Sequence, residues 1–188
     1  YIDWNEEVTS CDPMHITSLI TRHLKEPVMP TKWANFTYRN PVKHRAELFL
    51  KMNTLKRVDS TGPLFNNTGY LLKDKAKELS DWRFTIACEN AFLPGYVTEK
   101  LLQPLAAGSL PLYWGGSQAH QDFNSKAFVD CSKFESVDHV FDYMSDLAAN
   151  AKWLEYYQQP LWNEYVDWPT VTWSWIMPLL QQKKPWLV

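Results

Sequence analysis

Cysteine and glycine are both scarce in this sequence, with three and six residues among 188. The cysteines (Cys11, Cys88 and Cys131) form an odd set without CxxC or zinc-type spacing, which fits buried thiols better than a disulfide framework. The glycines form neither a Walker nor a Rossmann fingerprint, and no Gly-x-Ser-x-Gly nucleophile elbow is present. These absences argue against a zinc domain, a P-loop NTPase and a hydrolase of the nucleophile-elbow type.

Clusters of basic residues are also absent. The formal net charge is −2 and the pI is about 6.2, which argues against nucleic acid as a partner. No Asp-x-Asp pair exists to hold Mg²⁺ or Mn²⁺ against a diphosphate. The five histidines lack ligand spacing with carboxylates or thiols. We therefore predict no metal site and no cofactor.

No signal peptide and no apolar run long enough to span a membrane is found in the sequence. Because the sequence begins at Tyr1 rather than at methionine, it leaves open whether the chain is part of a longer protein. Lys183 and Lys184, in an aromatic C-terminal segment, are compatible with peripheral membrane contact, although two lysines are thin evidence.

The sequence does contain a regular alternation of strand and helix patterns from Trp33 onward. This alternation favours an α/β fold, a Rossmann-like parallel sheet with flanking helices. We expect residues 1–32 to be a linker or the remnant of an upstream element, and residues 33–160 to form the α/β domain. Residues 161–188 are expected to be an aromatic tail that packs on this domain or on another.

Hydrophobic periodicity gives the individual elements. The predicted strands cover residues 33–38, 56–59, 83–88, 110–114 and 127–130. Predicted helices cover residues 73–80 and 136–150, and a third runs from about Thr98 to Gly108. A further helix begins at Asn40-Pro41, as N-cap and first helical residue. The residues of this last helix predicted to face inward are Ala46, Phe49, Leu50 and Met52.

The most informative segment, CENAFLPGYVTEK, covers residues 88–100. A predicted strand ends there in Glu89 and Asn90, and a helix opens near Thr98 with Lys100 in its first turn. Ligands of parallel α/β sheets lie beyond the carboxyl ends of strands. A lysine at a helix N-terminus opposes the helix dipole, whereas a phosphate would satisfy both the free N–H groups and the lysine. The segment therefore predicts an anion-binding pocket for a nucleotide sugar.

A second basic residue, Arg45, lies in the first turn of the helix after Asn40-Pro41. One such arginine alone is typically a solvated surface charge. Two basic residues at strand ends of one sheet instead converge on a diphosphate, because arginine offers a bidentate fork and lysine a point charge.

Other polar residues of this region have two interpretations each. Glu99 is either an ordinary acid at a helix N-terminus or an acceptor for sugar hydroxyls, and Glu89 and Asn90 could accept similarly. Tyr96 is either a core aromatic or a group that covers a ring or donates to a phosphate. Gly115 and Gly116 follow a strand and could allow close approach of a ligand, which is a weak signal.

The run CENAFLPGYVTEKLLQPLAAGSLPLYWGG resembles the donor-binding signature of the α-1,3/1,4-fucosyltransferases, the tenth glycosyltransferase family. Members of that family read Phe-Glu-Asn, a short loop and then Tyr-Val/Ile-Thr-Glu-Lys. The resemblance continues through FNSKAFVDCSKFESVDHVFDYM and backward through LKRVDSTG and ANFTYRNPVKHRAELF, over about residues 33–160. The bacterial members look closer than the animal ones, because the cysteine pair typical of animal C-termini is absent.

This resemblance implies a GT-B fold, in which two Rossmann-like domains face a cleft and the C-terminal one, similar to this chain, holds GDP-β-L-fucose. It implies that Arg45 and Lys100 neutralise the GDP diphosphate and that Glu99 binds hydroxyls of the donor sugar. It also implies an inverting transfer of fucose to an acceptor oligosaccharide, without an obligatory metal, most simply in α-1,3 linkage to N-acetylglucosamine or glucose. Further positions that match the family's donor site are Asn40, Asn90 and Tyr96.

The family's general base is a carboxylate of the upstream acceptor domain, and no residue of this chain matches it. Two other functions therefore stay open: a GDP-sugar binding module without turnover, and a related GT-B transferase that uses another nucleotide sugar. The expected location is the cytoplasm or the inner-membrane surface for a bacterial protein and the Golgi lumen for a eukaryotic one.

Overall fold

The computed structural model of the protein describes Glu26 and residues 29–116, 118–161 and 163. Most of the predicted linker and aromatic tail, together with Cys11, lies outside the described residues. Within them the predicted α/β class is confirmed, because five parallel strands form one sheet in the order β2-β1-β3-β4-β5. The strands are β1 Lys32–Phe36, β2 Asp59–Ser60, β3 Trp82–Cys88, β4 Leu110–Trp114 and β5 Val129–Asp130.

Three predicted strands are shorter than expected or displaced, and the one predicted at 33–38 is observed at Lys32–Phe36. The strand predicted at 56–59 is observed only at Asp59–Ser60, since the Val58 N–H donates to the Asn53 side chain (2.9 Å) rather than to a neighbouring strand. The edge strand predicted at 127–130 is restricted to Val129–Asp130. Its first residue, Ala127, instead donates to the Asn124 carbonyl in a turn (2.8 Å).

Six α-helices flank the sheet within the described part of the chain, and the amphipathic ones were predicted from their periodicity. Thr98 and Ser136 cap the third and fifth helices through their side-chain oxygens. Gly108 ends the third helix in the left-handed conformation, with φ of 85°. The helices are α1 Lys43–Leu55, α2 Lys75–Glu78, α3 Glu99–Ala107, α4 Ala119–Asp122, α5 Val137–Ala149 and α6 Trp153–Tyr157.

The predicted start of α1 at Asn40-Pro41 is wrong, because the helix begins at Lys43 with Val42 as its N-cap. The Asn40 carbonyl is occupied elsewhere: it accepts from the Val42 N–H (2.9 Å) and from Arg45 Nη1 (3.2 Å). Of the residues predicted to face inward, Phe49 and Met52 are buried, but Leu50 is 52% exposed and Ala46 is only partly buried. The buried stripe is Arg45, Leu48, Phe49 and Met52.

The core has one layer on each face of the sheet. On the first face, α1 and α5 cover alternate residues of the central strands, including Phe84 and Ile86. On the second face, Leu101 and Leu105 of α3 pack near Tyr113 of β4. Cys88 and Cys131 are buried free thiols, as predicted for the two cysteines among the described residues.

The chain changes direction between β1 and β3. From β1 it moves outward to β2, and from β3 it moves the other way through β4 to β5. In open parallel sheets this switch point leaves a crevice between the carboxyl ends of the two strands, and ligands bind there. The fold therefore places the ends of β1 and β3, and the segments that follow them, around a natural binding position.

Candidate functional site

A cleft of about 290 Å³ lies at this switch point. Its walls come from the segment after β1, from Asn90 after β3 and from the exposed sides of α2 and α3. Thr85 and Ile86 of β3 contribute sheet residues to the lining, Thr37 contributes from the segment after β1, and Leu79 and Pro104 contribute apolar surface. The cleft thus combines an apolar surface with polar groups from several elements, which is the usual composition of a small-molecule site.

Arg45 is the most deeply buried charge of the cleft, with only 1% of its surface exposed. Its Nη2 donates to the Cys88 carbonyl (2.9 Å) and to the Asn90 side-chain oxygen (2.5 Å). The guanidinium carbon also lies 3.9 Å from the centroid of the Tyr38 ring, a cation–π arrangement. These contacts fix the arginine across the carboxyl ends of β1 and β3.

Tyr38 holds its ring against the Arg45 guanidinium through hydrogen bonds of its hydroxyl group to β3. Its hydroxyl accepts from the Cys88 N–H (2.6 Å) and donates to the Ile86 carbonyl (2.9 Å). Burial raises the pKa of Tyr38 far above its ordinary value, so the phenol keeps the proton that it donates. The ring under Arg45 is thereby tied to β3.

Lys100 projects from the first turn of α3 and is held by oxygen atoms. Its Nζ lies 3.0 Å from the Thr98 hydroxyl, 3.0 Å from Glu99 Oε1 and 3.6 Å from Glu89 Oε2. Burial acts to raise the pKa of Glu99, but the charge of Lys100 and the hydrogen bond from its ammonium outweigh that effect. The pKa of Glu99 is therefore lowered from its ordinary value, and the residue is a carboxylate at neutral pH.

The structure brings five of the seven predicted site residues together. Glu89 and Tyr96 are not among the cleft-lining residues: Glu89 is fully buried, and Tyr96 is partly buried in the loop before α3. A direct role of each residue in donor binding stays a prediction. The five that line the cleft are Asn40, Arg45, Asn90, Glu99 and Lys100.

Sequence reasoning missed two cations of the cleft, Arg39 and Lys75. Arg39 precedes Asn40 in the same loop, so a search of the whole segment after β1 would have found it. Lys75 begins the short helix α2, and nothing in its local pattern distinguishes it from a solvated lysine. With Arg45 and Lys100, four cationic side chains and the Glu99 carboxylate line one cleft. This composition favours an anionic ligand.

The two glycines after β4 serve packing within the protein. A Cβ on Gly115 would lie 2.1 Å from the Tyr113 ring, and one on Gly116 would lie 2.5 Å from the Leu93 carbonyl oxygen. Protein atoms therefore occupy the space that the sequence suggested for a ligand.

Among the described residues, no group of three or more His, Cys, Asp or Glu side chains is arranged to hold a metal ion. In the same part of the chain, no helix has the length and apolar character needed to cross a membrane.

Comparison with known proteins gives a family match over most of the chain. Residues 30–180 match the family described as "Glycosyltransferase family 10 (fucosyltransferase) C-term". An α-(1,3)-fucosyltransferase of Helicobacter pylori is 33% identical over 132 residues, which are 69% of this chain and 28% of that protein. The α-(1,3)-fucosyltransferase B of Drosophila melanogaster is 37% identical over 83 residues, 43% of this chain and 18% of that protein. The chain thus spans less than a third of these relatives.

Solved structures show the same fold. A crystal structure of α1,3-fucosyltransferase with GDP-fucose superimposes with a TM-score of 0.70 at 23% identity, covering 98% of this chain and 60% of that one. A crystal structure with GDP gives a TM-score of 0.71, also at 23% identity, over 96% of this chain and 58% of that one.

Proposed function

This chain belongs to glycosyltransferase family 10, the fucosyltransferases, and we propose that it is the part that binds the donor GDP-β-L-fucose. The observation that carries the proposal is the cleft at the switch point, with four cationic side chains and one carboxylate in its lining. A nucleoside diphosphate brings two or more negative charges to such a site, and the apolar lining suits a base and ribose. The named family confirms the sequence resemblance.

In this proposal Arg45 and Lys100 bind the diphosphate. Arg45 is held rigidly by two carbonyl oxygens and the Asn90 amide, so its charge is in place before the ligand arrives. Lys100 is a point charge on a longer, more adaptable side chain. Such preorganised charges stabilise the leaving GDP without a metal ion.

Glu99 is proposed to bind hydroxyl groups of the fucose, because it lines the cleft next to Lys100. A carboxylate accepts hydrogen bonds only, which matches a sugar hydroxyl and not a phosphate oxygen. Asn40 and Asn90 supply further polar groups at the cleft, and Tyr96 is proposed to reach the donor from the loop before α3.

The proposed reaction is an inverting transfer. An acceptor hydroxyl oxygen attacks the anomeric carbon of fucose, the bond from that carbon to the β-phosphate oxygen breaks, and GDP leaves. The acceptor proton passes to a general base, which we place in an upstream acceptor domain. Attack opposite the β-linked GDP yields an α-fucoside, proposed to be α-1,3 to N-acetylglucosamine or glucose.

Donor binding is tested by calorimetric titration of the full-length protein. We expect GDP and GDP-fucose to bind and UDP-sugars not to bind. Lys100→Ala should weaken GDP binding by about tenfold or more, because a charge-assisted contact is lost. Lys126→Ala is the matched control, since Lys126 is exposed and lies outside the cleft. Unchanged GDP affinity in Lys100→Ala would contradict the phosphate assignment.

Turnover needs a separate measurement. The full-length protein should transfer radiolabelled fucose from GDP-fucose to N-acetyllactosamine. Donor binding without transfer to this or any other glycan acceptor would favour a binding module over an enzyme.

A further inference from the structure

Glu89 is a carboxylate without any solvent exposure, directly after the central strand β3. A buried charge without partners is strongly destabilising. Its Oε1 accepts from the Thr98 backbone N–H (2.8 Å) and the Thr98 hydroxyl (2.9 Å), and the Tyr113 hydroxyl lies 3.3 Å away. Burial, with a further contribution from Glu89, raises the pKa of Tyr113, so that phenol stays protonated and donates. Three donor groups, from Thr98 and Tyr113, therefore stabilise this buried carboxylate.

The Thr98 hydroxyl connects this carboxylate to the cleft. It lies 2.9 and 2.7 Å from the two Glu89 oxygens and 3.0 Å from Lys100 Nζ. A carboxylate only accepts and an ammonium only donates, so the direction of both bonds is fixed. The hydroxyl donates to Glu89, and its lone pairs accept from Lys100.

Glu89 is itself held from three elements. Its backbone N–H donates to the Trp114 carbonyl at the end of β4 (2.8 Å), and its own carbonyl lies 3.0 Å from His44 Nε2 of α1. Its side chain holds the first turn of α3 through Thr98. The Glu89 carboxylate therefore has a fixed position at the end of β3. The Lys100 side chain is longer and 16% exposed.

We propose that Glu89 is a positioning residue, which aims the Lys100 ammonium into the cleft through the Thr98 hydroxyl and through its own charge at 3.6 Å. This role rests on the proposed function, because the aimed ammonium is the group assigned to the donor diphosphate. It replaces the predicted direct contact of Glu89 with a sugar hydroxyl, since the side chain does not line the cleft. Without the carboxylate, Lys100 loses its fixed position and the diphosphate loses a preorganised partner.

The first test compares two ligands on the intact protein carrying Glu89→Gln. GDP has the diphosphate, whereas guanosine presents the same base and ribose without phosphates. We expect GDP affinity to fall about tenfold and guanosine affinity, measured by displacement of labelled GDP, to stay within about twofold. A purely structural role of Glu89 would lower both affinities together.

A second pair of variants keeps the test decisive if Glu89→Gln does not fold. Thr98→Val removes the hydroxyl at constant shape and should reproduce the selective loss of GDP affinity, whereas Thr98→Ser keeps the hydroxyl and should restore it. The double variant Glu89→Gln/Thr98→Val should lose little more than either single variant, because both changes break one chain of contacts. Tyr143→Phe is the control for losing a partly buried hydrogen bond, here between the Tyr143 and Tyr156 hydroxyls (2.5 Å) and outside the cleft, and should change neither affinity.

The outcomes separate the two proposals. If the wild-type protein does not bind GDP, the proposed function fails. If it does, GDP affinity at the wild-type level in Thr98→Val, or equal losses for GDP and guanosine, would overturn the positioning role alone.

Discussion

Arg45 and Lys100 are held in the cleft by different kinds of partner. Arg45 donates to two carbonyl oxygens and one amide oxygen, all of them neutral. Lys100 lies within 3.6 Å of two carboxylates, Glu89 and Glu99. The neutral partners do not offset the positive charge of the guanidinium, whereas the two carboxylates partly offset the charge of the Lys100 ammonium. On these grounds we propose that Arg45 is the stronger of the two diphosphate contacts.

Substitution of Arg45 by lysine should show how far stability and GDP binding depend on the planar guanidinium group. Arg45 donates to Asn40 from Nη1 and to Cys88 and Asn90 from Nη2, whereas a lysine donates from a single nitrogen and does not match this spacing. We expect Arg45→Lys to lower the free energy of unfolding by about 2 kcal/mol, through unsatisfied buried acceptors, and to weaken GDP binding about tenfold.

Urea unfolding and a GDP titration measure these two effects. Arg57→Lys is the matched control, because the Arg57 side chain is 69% exposed and pairs with Asp59 at the surface. If Arg45→Lys and the wild-type protein have equal stability and equal GDP affinity, the planar guanidinium of Arg45 is not required for either property.

Glu99 should contribute to the pH dependence of stability. Its pKa in the folded protein lies below the ordinary value of 4.5, so the folded state binds protons less readily than the unfolded one. Its contribution is therefore present above the unfolded pKa and is lost as the pH falls through the folded pKa. The free energy of unfolding should decline less steeply in Glu99→Gln than in the wild-type protein below about pH 4.5.

Urea unfolding at a series of pH values measures this slope. Glu47→Gln serves as the control, because the Glu47 side chain is 65% exposed and lies 3.8 Å from Lys43. Identical acid slopes for Glu99→Gln and the wild-type protein would show that the Lys100–Glu99 pair does not stabilise the fold.

At the level of elements, the loop after β2 supports the end of β1. The Thr61 N–H donates to the Phe36 carbonyl (3.1 Å), and the Leu64 N–H donates to the Tyr38 carbonyl (2.9 Å). Gly62 lies between these contacts, and a Cβ there would be 2.4 Å from the backbone N and O of Tyr38. Only glycine fits this approach without moving the strand end that carries the ring under Arg45.

Gly62→Ala is therefore expected to destabilise the protein by about 3 kcal/mol, through overpacking against backbone. Gly69→Ala is the comparison: its φ of 78° disfavours alanine, but no atom lies within 4 Å of the added Cβ. That variant should lose only about 1 kcal/mol. Thermal or urea unfolding compares the two, and a smaller loss in Gly62→Ala would contradict the close approach.

Elements with strong local signals were predictable from the sequence. The strand β3, the capped helix α3 and the amphipathic helix α5 have the predicted types, because burial periodicity and capping residues specify them. The inward face of α1 is only partly as predicted: Phe49 and Met52 are buried, but Leu50 is exposed. Hydrophobic periodicity selects apolar residues, so it does not place the buried Arg45 in this stripe.

The site was only partly predictable for a related reason. Arg45, Glu99 and Lys100 could be assigned to one cleft, because parallel strand ends meet at one edge of the sheet. Glu89 could not be separated from the cleft residues, since the sequence does not say that its side chain turns inward to Thr98. Lys75 reaches the cleft through tertiary packing of α2, for which the sequence carries no local signal.

At the scale of the molecule, the switch point between β1 and β3 organises the cleft. The strand order places two strand ends side by side with the first turn of α3, so cations distant in sequence converge there. The chain matches 28% of its Helicobacter pylori relative, and the acceptor and the general base are proposed to come from sequence outside this cleft. We therefore propose that the described residues supply the donor-binding half of the site.

The most direct test of the central claim is a crystal structure of the protein with GDP bound. The claim predicts that the diphosphate lies in the cleft between the ends of β1 and β3, with phosphate oxygens within hydrogen-bond distance of Arg45 and Lys100. GDP bound elsewhere on the domain, or in the cleft with its diphosphate directed away from both residues, would contradict it.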